Sequence, residues 1–294
     1  MPGPLDALTK INLDDLVSAF GWQDHPFLEP LARRLFFKPA QTFARQMLVF
    51  DSAIGTSGMA EAACVTERLY ARVVRVIDAQ RIPKGPFLAL ANHPGVTDTL
   101  AVIAALGRAE LKVIALNRPF LLSLPNLGKH LFYVTDDPNE RVTLVRQVSK
   151  HLRNGGSALT FPAGHNEPDP DIYPGAVESL SSWTDSVGVF LRLAPETAVV
   201  PVCVRSVIWD KPAHHPLTRL RHTQDDRQLL ASAMQLLSSV MFNLRPVKVQ
   251  VQIGKPITVK ELGTTDTLAI QQYVKDEMKK LITHAPEGEG SNIL

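Results

Sequence analysis

The sequence predicts an α/β protein: a central mixed, mostly parallel sheet flanked by helices, with a helical region ahead of it. Three observations predict this. From Ile82 onward, short apolar runs alternate with amphipathic stretches of helical length, the pattern of successive strand–helix units. Before residue 80, apolar residues recur at helical spacing, as in Leu13-Asp14-Asp15-Leu16-Val17 and across 60–77, with few strand signals. The 294 residues are 45% hydrophobic and 20% charged, enough for a sizeable core and unlike a disordered chain.

The helical region takes residues 1–80 and the α/β domain 81–285. The Gly/Glu/Ser-rich stretch 286–294 reads as a frayed, disordered tail. Strands are predicted at 87–91, 112–116, 132–135, 157–161, 198–204 and 247–253. The last alternates Val247, Val249, Val251 and Ile253 against Lys248, Gln250 and Gln252, as an edge or half-buried strand does. Helices are predicted between them at 98–106, 139–153, 176–194, 225–242 and 265–282. Asp137 or Asn139 caps the second of these, and Gly155-Gly156 ends it. Between Pro212 and Thr223 lies a loop whose His214-His215 reads as solvent-facing.

Composition excludes several classes. A formal net charge of +2 without a basic run argues against a nucleic-acid partner. Cys64 and Cys203 lie far apart in apolar settings, which reads as two reduced, buried thiols and is too few for a cysteine metal site. Neither a signal peptide nor a run of ~18 apolar residues is expected; His93 and Asp98 interrupt the nearest candidate, 86–107. The expected location is cytoplasmic. Residues 31–50 mix bulky apolar side chains with Arg33, Arg34, Lys38 and Arg45. Such a segment either lies in a membrane interface, its cations on anionic headgroups, or is an ordinary packed helix broken at Pro39.

The chemistry concentrates where strand 87–91 opens into Asn92-His93-Pro94-Gly95-Val96-Thr97-Asp98 and a helix follows. Open α/β sheets place ligands at such strand ends. Pro94 and Gly95 force a turn that can return the Asp98 carboxylate to one nitrogen of His93. The carboxylate then fixes the tautomer, and the second nitrogen can take a proton from a hydroxyl. The alternative is a helix-capping aspartate near an unrelated loop histidine.

Asn-His-x-x-x-x-Asp after an apolar strand resembles the first motif of the glycerol-3-phosphate and lysophosphatidate acyltransferase family. Thr160-Phe161-Pro162-Ala163-Gly164-His165-Asn166-Glu167 is similar to its third motif, usually Phe-Pro-Glu-Gly-Thr-Arg. Val199-Val200-Pro201-Val202-Cys203-Val204 is similar to the fourth, and 249–257, ending Ile-Gly-Lys-Pro-Ile, to the closing strand. Gly128-Lys-His-Leu-Phe132-Tyr-Val-Thr stands where the second is expected. The resemblance covers about residues 82–258 and implies the glycerol-phosphate acyltransferase-like fold. It also implies an O-acyltransferase of phospholipid synthesis with His93 as general base and Asp98 as its partner. The acyl thioester, on CoA or acyl-carrier protein, is a co-substrate, and no cofactor or metal is implied. The acceptor would be a lipid or lysolipid hydroxyl, with peripheral contact on the cytoplasmic face of a membrane. No acyl-enzyme forms in that family, which fits a chain without a Gly-x-Ser-x-Gly elbow. Oxyanion donors are expected among backbone N–H groups near Gly164 or at the helix start after His93.

The departures fall on substrate binding. Ala163 replaces the third-motif glutamate, His165 the threonine and Asn166 the arginine, so the guanidinium fork that suits phosphate is gone. Glu167 could supply a displaced carboxylate. Arg118, just after strand 112–116, and Arg141, at the start of a helix, could hold an anion instead. Phe161, Pro162, Gly164, His165, Asn166 and Glu167 complete the candidate substrate contacts. Two other functions compete: a catalytically weak lipid- or acyl-binding protein on the same fold, and a metal-assisted hydrolase using His93, Asp98, His165 and Glu167.

Overall fold

The computed structural model describes residues 3–135, 137–284, 286 and 288–294. The chain begins with helices α1 (Pro4–Phe20), α2 (Leu28–Ser57) and α3 (Met59–Glu67), then strands β1 (Ala71–Ile77) and β2 (Phe87–Ala91). Next come α4 (Asp98–Leu106), β3 (Lys112–Leu116), the short α5 (Pro119–Leu122) and α6 (Pro125–Gly128), and β4 (Leu131–Val134). Helix α7 (Pro138–Arg153), β5 (Ala158–Thr160), α8 (Ser186–Leu193) and β6 (Ala198–Arg205) follow. The chain closes with α9 (Asp210–Ala213), α10 (Gln224–Phe242), β7 (Val247–Ile253), α11 (Val259–Leu262), α12 (Thr267–Thr283) and β8 (Ser291–Asn292).

The strands form one sheet in the order β4-β3-β5-β2-β6-β7-β1-β8. From β4 to β6 all neighbours are parallel; β7 is antiparallel to β6, β1 parallel to β7, and β8 antiparallel to β1. The predicted α/β class with a mixed, mostly parallel sheet is the class found.

Strand β2 lies at the centre with all five residues buried, as a strand covered on both faces must be. Its alternate side chains divide between two cores. Phe87, Ala89 and Ala91 join residues of α2, α3 and α4, whereas Leu88 and Leu90 join residues of α7, α8 and α12. A third cluster joins Leu13, Leu16 and Val17 of α1, Phe36 and Ala40 of α2, and Ala233 of α10.

The structure departs from the sequence reading in four places. Residues 71–77, within the region expected to be helical, form β1, because a short apolar run satisfies helical and strand periods alike. The run Arg-Val-Val-Arg-Val is β-branched enough to prefer the strand. The stretch expected to be frayed supplies β8, and the Ile293 N–H donates to the Val74 carbonyl. The sheet therefore draws on chain from both sides of 81–285. Helix α2 runs through Pro39 unbroken; Pro39 and Ala40 are buried against α1 and α10, and packing there offsets a proline penalty of about 3 kcal/mol. The stretch 176–194 divides into a 3-10 turn, Glu178–Ser182, and α8, because Trp183 and Thr184 are drawn into other bonds. Of the two alternatives for 247–253, the half-buried one holds: β7 is interior to the sheet, with Lys248 exposed, Gln250 half-buried and Gln252 buried. Both cysteines are free; Cys203 is buried and Cys64 half-buried.

Candidate active site

The carboxyl end of β2 is closed by Asn92. Its Nδ2 donates to the Val204 carbonyl at 2.8 Å and its Oδ1 accepts the Val204 N–H at 2.7 Å, so the side chain extends the ladder toward β6. The chain then turns through Pro94 and Gly95, where φ is +123°, a value only glycine adopts readily. The turn returns the Asp98 carboxylate to the ring that opened it: Asp98 Oδ2 lies 2.7 Å from His93 Nδ1.

Asp98 is fully enclosed and held from three other directions. Oδ2 accepts the Gly95 N–H at 2.8 Å; Oδ1 accepts the Thr99 N–H and the Thr99 hydroxyl. With Nδ1 donating to a carboxylate, Nε2 is the nitrogen left to accept a proton. The ring packs against Phe161, centroids 4.5 Å apart and planes tilted by 33°, and the side chain is 30% exposed. Burial alone would lower the imidazole pKa. The charge and hydrogen bond of Asp98, with the Glu167 charge behind, outweigh burial, and the net position is above the ordinary 6.5, with Arg118 opposing.

Glu167 does not face substrate. It is 1% exposed, with Oε2 accepting the His93 N–H at 3.0 Å and Oε1 accepting the Ser179 hydroxyl and the Trp183 indole N–H. Its own N–H donates to the His93 carbonyl at 2.8 Å, so one residue holds both backbone groups of the histidine. Burial raises the Glu167 carboxyl above its usual range; the bonds from Trp183, Ser179 and His93 work against that. Gln228 of α10 completes the frame, donating through Nε2 to the Pro94 and Glu167 carbonyls.

His93 lines a cleft of about 960 Å³ at the carboxyl ends of the parallel strands. Arg118, Arg141, Phe161, Pro162, Gly164, His165 and Asn166 line it too, so of the expected substrate contacts only Glu167 stands apart. The Arg141 Nε donates to the Thr135 carbonyl. His165 is exposed, its Nδ1 2.8 Å from the Ala163 carbonyl. The Gly164 N–H donates to the Phe161 carbonyl, so it is committed within its own turn and not open to an oxyanion. The Asn166 Nδ2 lies 3.9 Å from the point where a Cβ on Gly95 would stand, beside the turn. An apolar arm runs inward past Ile103, Val113, Leu121, Leu127 and Leu131. Asp225 and Asp226 also line the cleft, Asp226 paired with Arg221 at 3.3 Å. Among the described residues, no group of three or more His, Cys, Asp or Glu could hold a metal ion.

Sequence reasoning did not single out Ser179, Trp183, Gln228 or the aspartates at the cleft. For Ser179, Trp183 and Gln228 the signal is spatial: they lie 12 to 134 positions from their partners in sequence and reach them only through the fold.

Compared with known proteins, the chain matches no protein-family model and no curated protein. Among solved structures it is similar to the 1-acyl-sn-glycerophosphate (LPA) acyltransferase PlsC of Thermotoga maritima. The identity is 16%, the match covers 93% of this chain and 96% of that one, and the TM-score is 0.46. What the site can do is read from the chain's own residues.

Behind Asp98, at the end of α3, Glu67 is 0% exposed, and neither carboxyl oxygen makes a hydrogen bond of normal geometry. Burial pushes its carboxyl well above the ordinary 4.5; the nearby Thr97 hydroxyl opposes this and the Asp98 charge adds to it. An acid whose pKa is raised by folding binds its proton more tightly in the folded state. Its effect is therefore to lower stability as pH rises above 4.5 toward the folded value. Glu67→Gln should raise Tm at pH 8 by roughly 3 °C, about 1 kcal/mol, and change it little at pH 4. Thermal melts at the two pH values test this, and an equal effect at both would show that Glu67 does not titrate with folding.

Proposed function

We propose that this protein is an acyltransferase that moves a fatty acyl group from a thioester, on CoA or acyl-carrier protein, to the hydroxyl of a glycerolipid-like acceptor. The observation that carries the reading is the 2.7 Å contact of His93 Nδ1 with buried Asp98, on the wall of a cleft that combines cations with an apolar arm. Nε2 takes the proton of the acceptor hydroxyl as its oxygen attacks the thioester carbonyl carbon, and the imidazolium is stabilised by Asp98. The tetrahedral oxyanion collapses, the carbon–sulfur bond breaks, and the departing thiolate takes the proton back from Nε2. No side-chain nucleophile is used.

The oxyanion needs a donor aimed at it. The Gly164 N–H is committed to its own turn, so the donors we assign are the backbone N–H groups at the helix start after His93 and the Asn166 amide beside Gly95. Arg118 and Arg141 are the cations for an anionic headgroup or the donor's phosphates. The altered positions Ala163, His165 and Asn166 keep the acceptor's headgroup open.

Acceptor-dependent release of thiol from an acyl-CoA, with products read by mass spectrometry across a set of hydroxyl acceptors, is the test. His93→Ala should lower that rate by about 10²–10⁴-fold, and Asn166→Ala should lower kcat by about 10²-fold. An unchanged rate in His93→Ala removes the general-base assignment. Bound lipid without turnover on any acceptor would favour a binding protein instead, and activity lost to a chelator a metal-assisted hydrolase.

Peripheral membrane contact belongs to the same reading. Among the described residues no helix is long and apolar enough to cross a membrane. Phe27, Leu31 and Leu35, four residues apart at the start of α2, are 81%, 62% and 59% exposed, close to Arg34 and Lys38. That arrangement suits an interfacial helix on anionic lipid. Leu31→Glu with Leu35→Glu should reduce co-sedimentation with anionic vesicles at least fivefold; retention of binding would assign that face another role.

A further inference from the structure

A second apolar hollow adjoins the turn 92–98 from outside the cleft. It lies between α1, α2 and α10, is partly open to solvent, and has a volume of about 150 Å³, comparable to a cavity that holds a benzene ring. Leu16, Ala40, Phe43, Leu236 and Val240 supply apolar walls. Two features tie it to the chemistry. Val96, between His93 and Asp98, forms part of its wall, and Leu229 lines both the hollow and the cleft. Ser232 also lines it: the residue is 5% exposed and its hydroxyl is buried without a partner. That hydroxyl lies 3.6 Å from where a Cβ on Gly95 would stand, so it sits at the end of the hollow nearest the turn. A buried hydroxyl left unpaired is costly, and an oxygen of a bound molecule would satisfy it.

We propose that this hollow takes the first few carbons of the acyl acceptor's hydrocarbon chain, the rest of the chain leaving through its open side, with Ser232 donating to the oxygen that joins chain to headgroup. The apolar arm of the cleft then takes the acyl chain of the donor. The assignment rests on the acyl-transfer reading. Transfer between two amphiphiles needs two apolar compartments meeting at one reactive centre, and these two meet at the turn and at Leu229. An acyl-CoA carries more phosphate than a lysolipid, so charge favours the cleft for the donor. The cations that would meet a donor's phosphates, Arg118 and Arg141, line the cleft, whereas the polar residues of the hollow are Asn12, Asp15 and Ser232.

The test uses the full-length protein with a lysophosphatidate carrying a diazirine within the first carbons of its chain, and in parallel an acyl-CoA carrying one at the end of its acyl chain. After photolysis, adducts are mapped by mass spectrometry. The lysolipid should label residues of α1, α2 and α10 that face the hollow, and the acyl-CoA those of the cleft arm. Ala233→Phe, which fills the hollow, should remove the first labelling at least tenfold. Should that variant fail to fold, Ser232→Ala serves. It should raise KM for the lysolipid about three- to tenfold, with KM for the acyl-CoA as the internal comparison. Lysolipid adducts confined to the cleft arm, or an unchanged lysolipid KM in Ser232→Ala, would overturn the proposal. Labelling of the hollow without any acyl transfer would support the binding site and count against the acyl-transfer reading.

Discussion

The contact between His93 Nδ1 and Asp98 Oδ2 sets the terms for everything around it. A carboxylate 2.7 Å from an imidazole and almost wholly shut off from water is costly to bury unless its lone pairs are satisfied. The turn 92–98 meets that condition with its own N–H groups, from Gly95 and Thr99. The catalytic geometry and the local folding of the turn are therefore the same set of bonds. Disturbing either would disturb the other.

The same economy extends outward. The histidine's backbone is held by Glu167 through a side-chain bond to its N–H and a backbone bond to its carbonyl. Glu167 is fixed by Ser179 and Trp183, and Gln228 ties its carbonyl to that of Pro94. Asn92 locks the end of β2 to β6. Central strand, the loop 161–167 and α10 thus meet around one ring, a supporting frame of the kind that holds a reacting group in place. Beyond them, α10 packs on the N-terminal helices, so the helical region forms part of the wall beside the site rather than an appendage to the sheet.

How much of this was legible in the sequence depends on the range of the interactions. Strands 87–91, 112–116 and 247–253 and helix 98–106 match the structure residue for residue, because their apolar patterns are local and their ends carry turn residues. The His93–Asp98 pairing was within reach of the sequence because the partners lie five positions apart across a Pro-Gly turn, although spacing alone left a helix-capping aspartate as the alternative. What depended on distant partners was not. Residues 71–77 read as helix because a short apolar run fits either period; its β-branched residues and its pairing with Val247–Gln252 make it a strand. The tail read as frayed because Ser291–Asn292 gain order only from β1. Glu167 read as a substrate contact because, four positions after Ala163, it could stand in for a displaced carboxylate; its burial against Trp183 and Ser179 follows from the break in 176–194, which no local signal announces.

The most direct measurement of the central claim is an NMR titration of the His93 imidazole with labelled ring nitrogens, in the native protein and in Asp98→Asn and Glu167→Gln. The account predicts a neutral tautomer protonated at Nδ1 and a pKa above 6.5. It predicts a fall in that pKa in both variants, the larger one in Asp98→Asn, where charge and hydrogen bond to the ring both change. A tautomer protonated at Nε2, or a pKa at or below 6.5 that Asp98→Asn leaves in place, would contradict it.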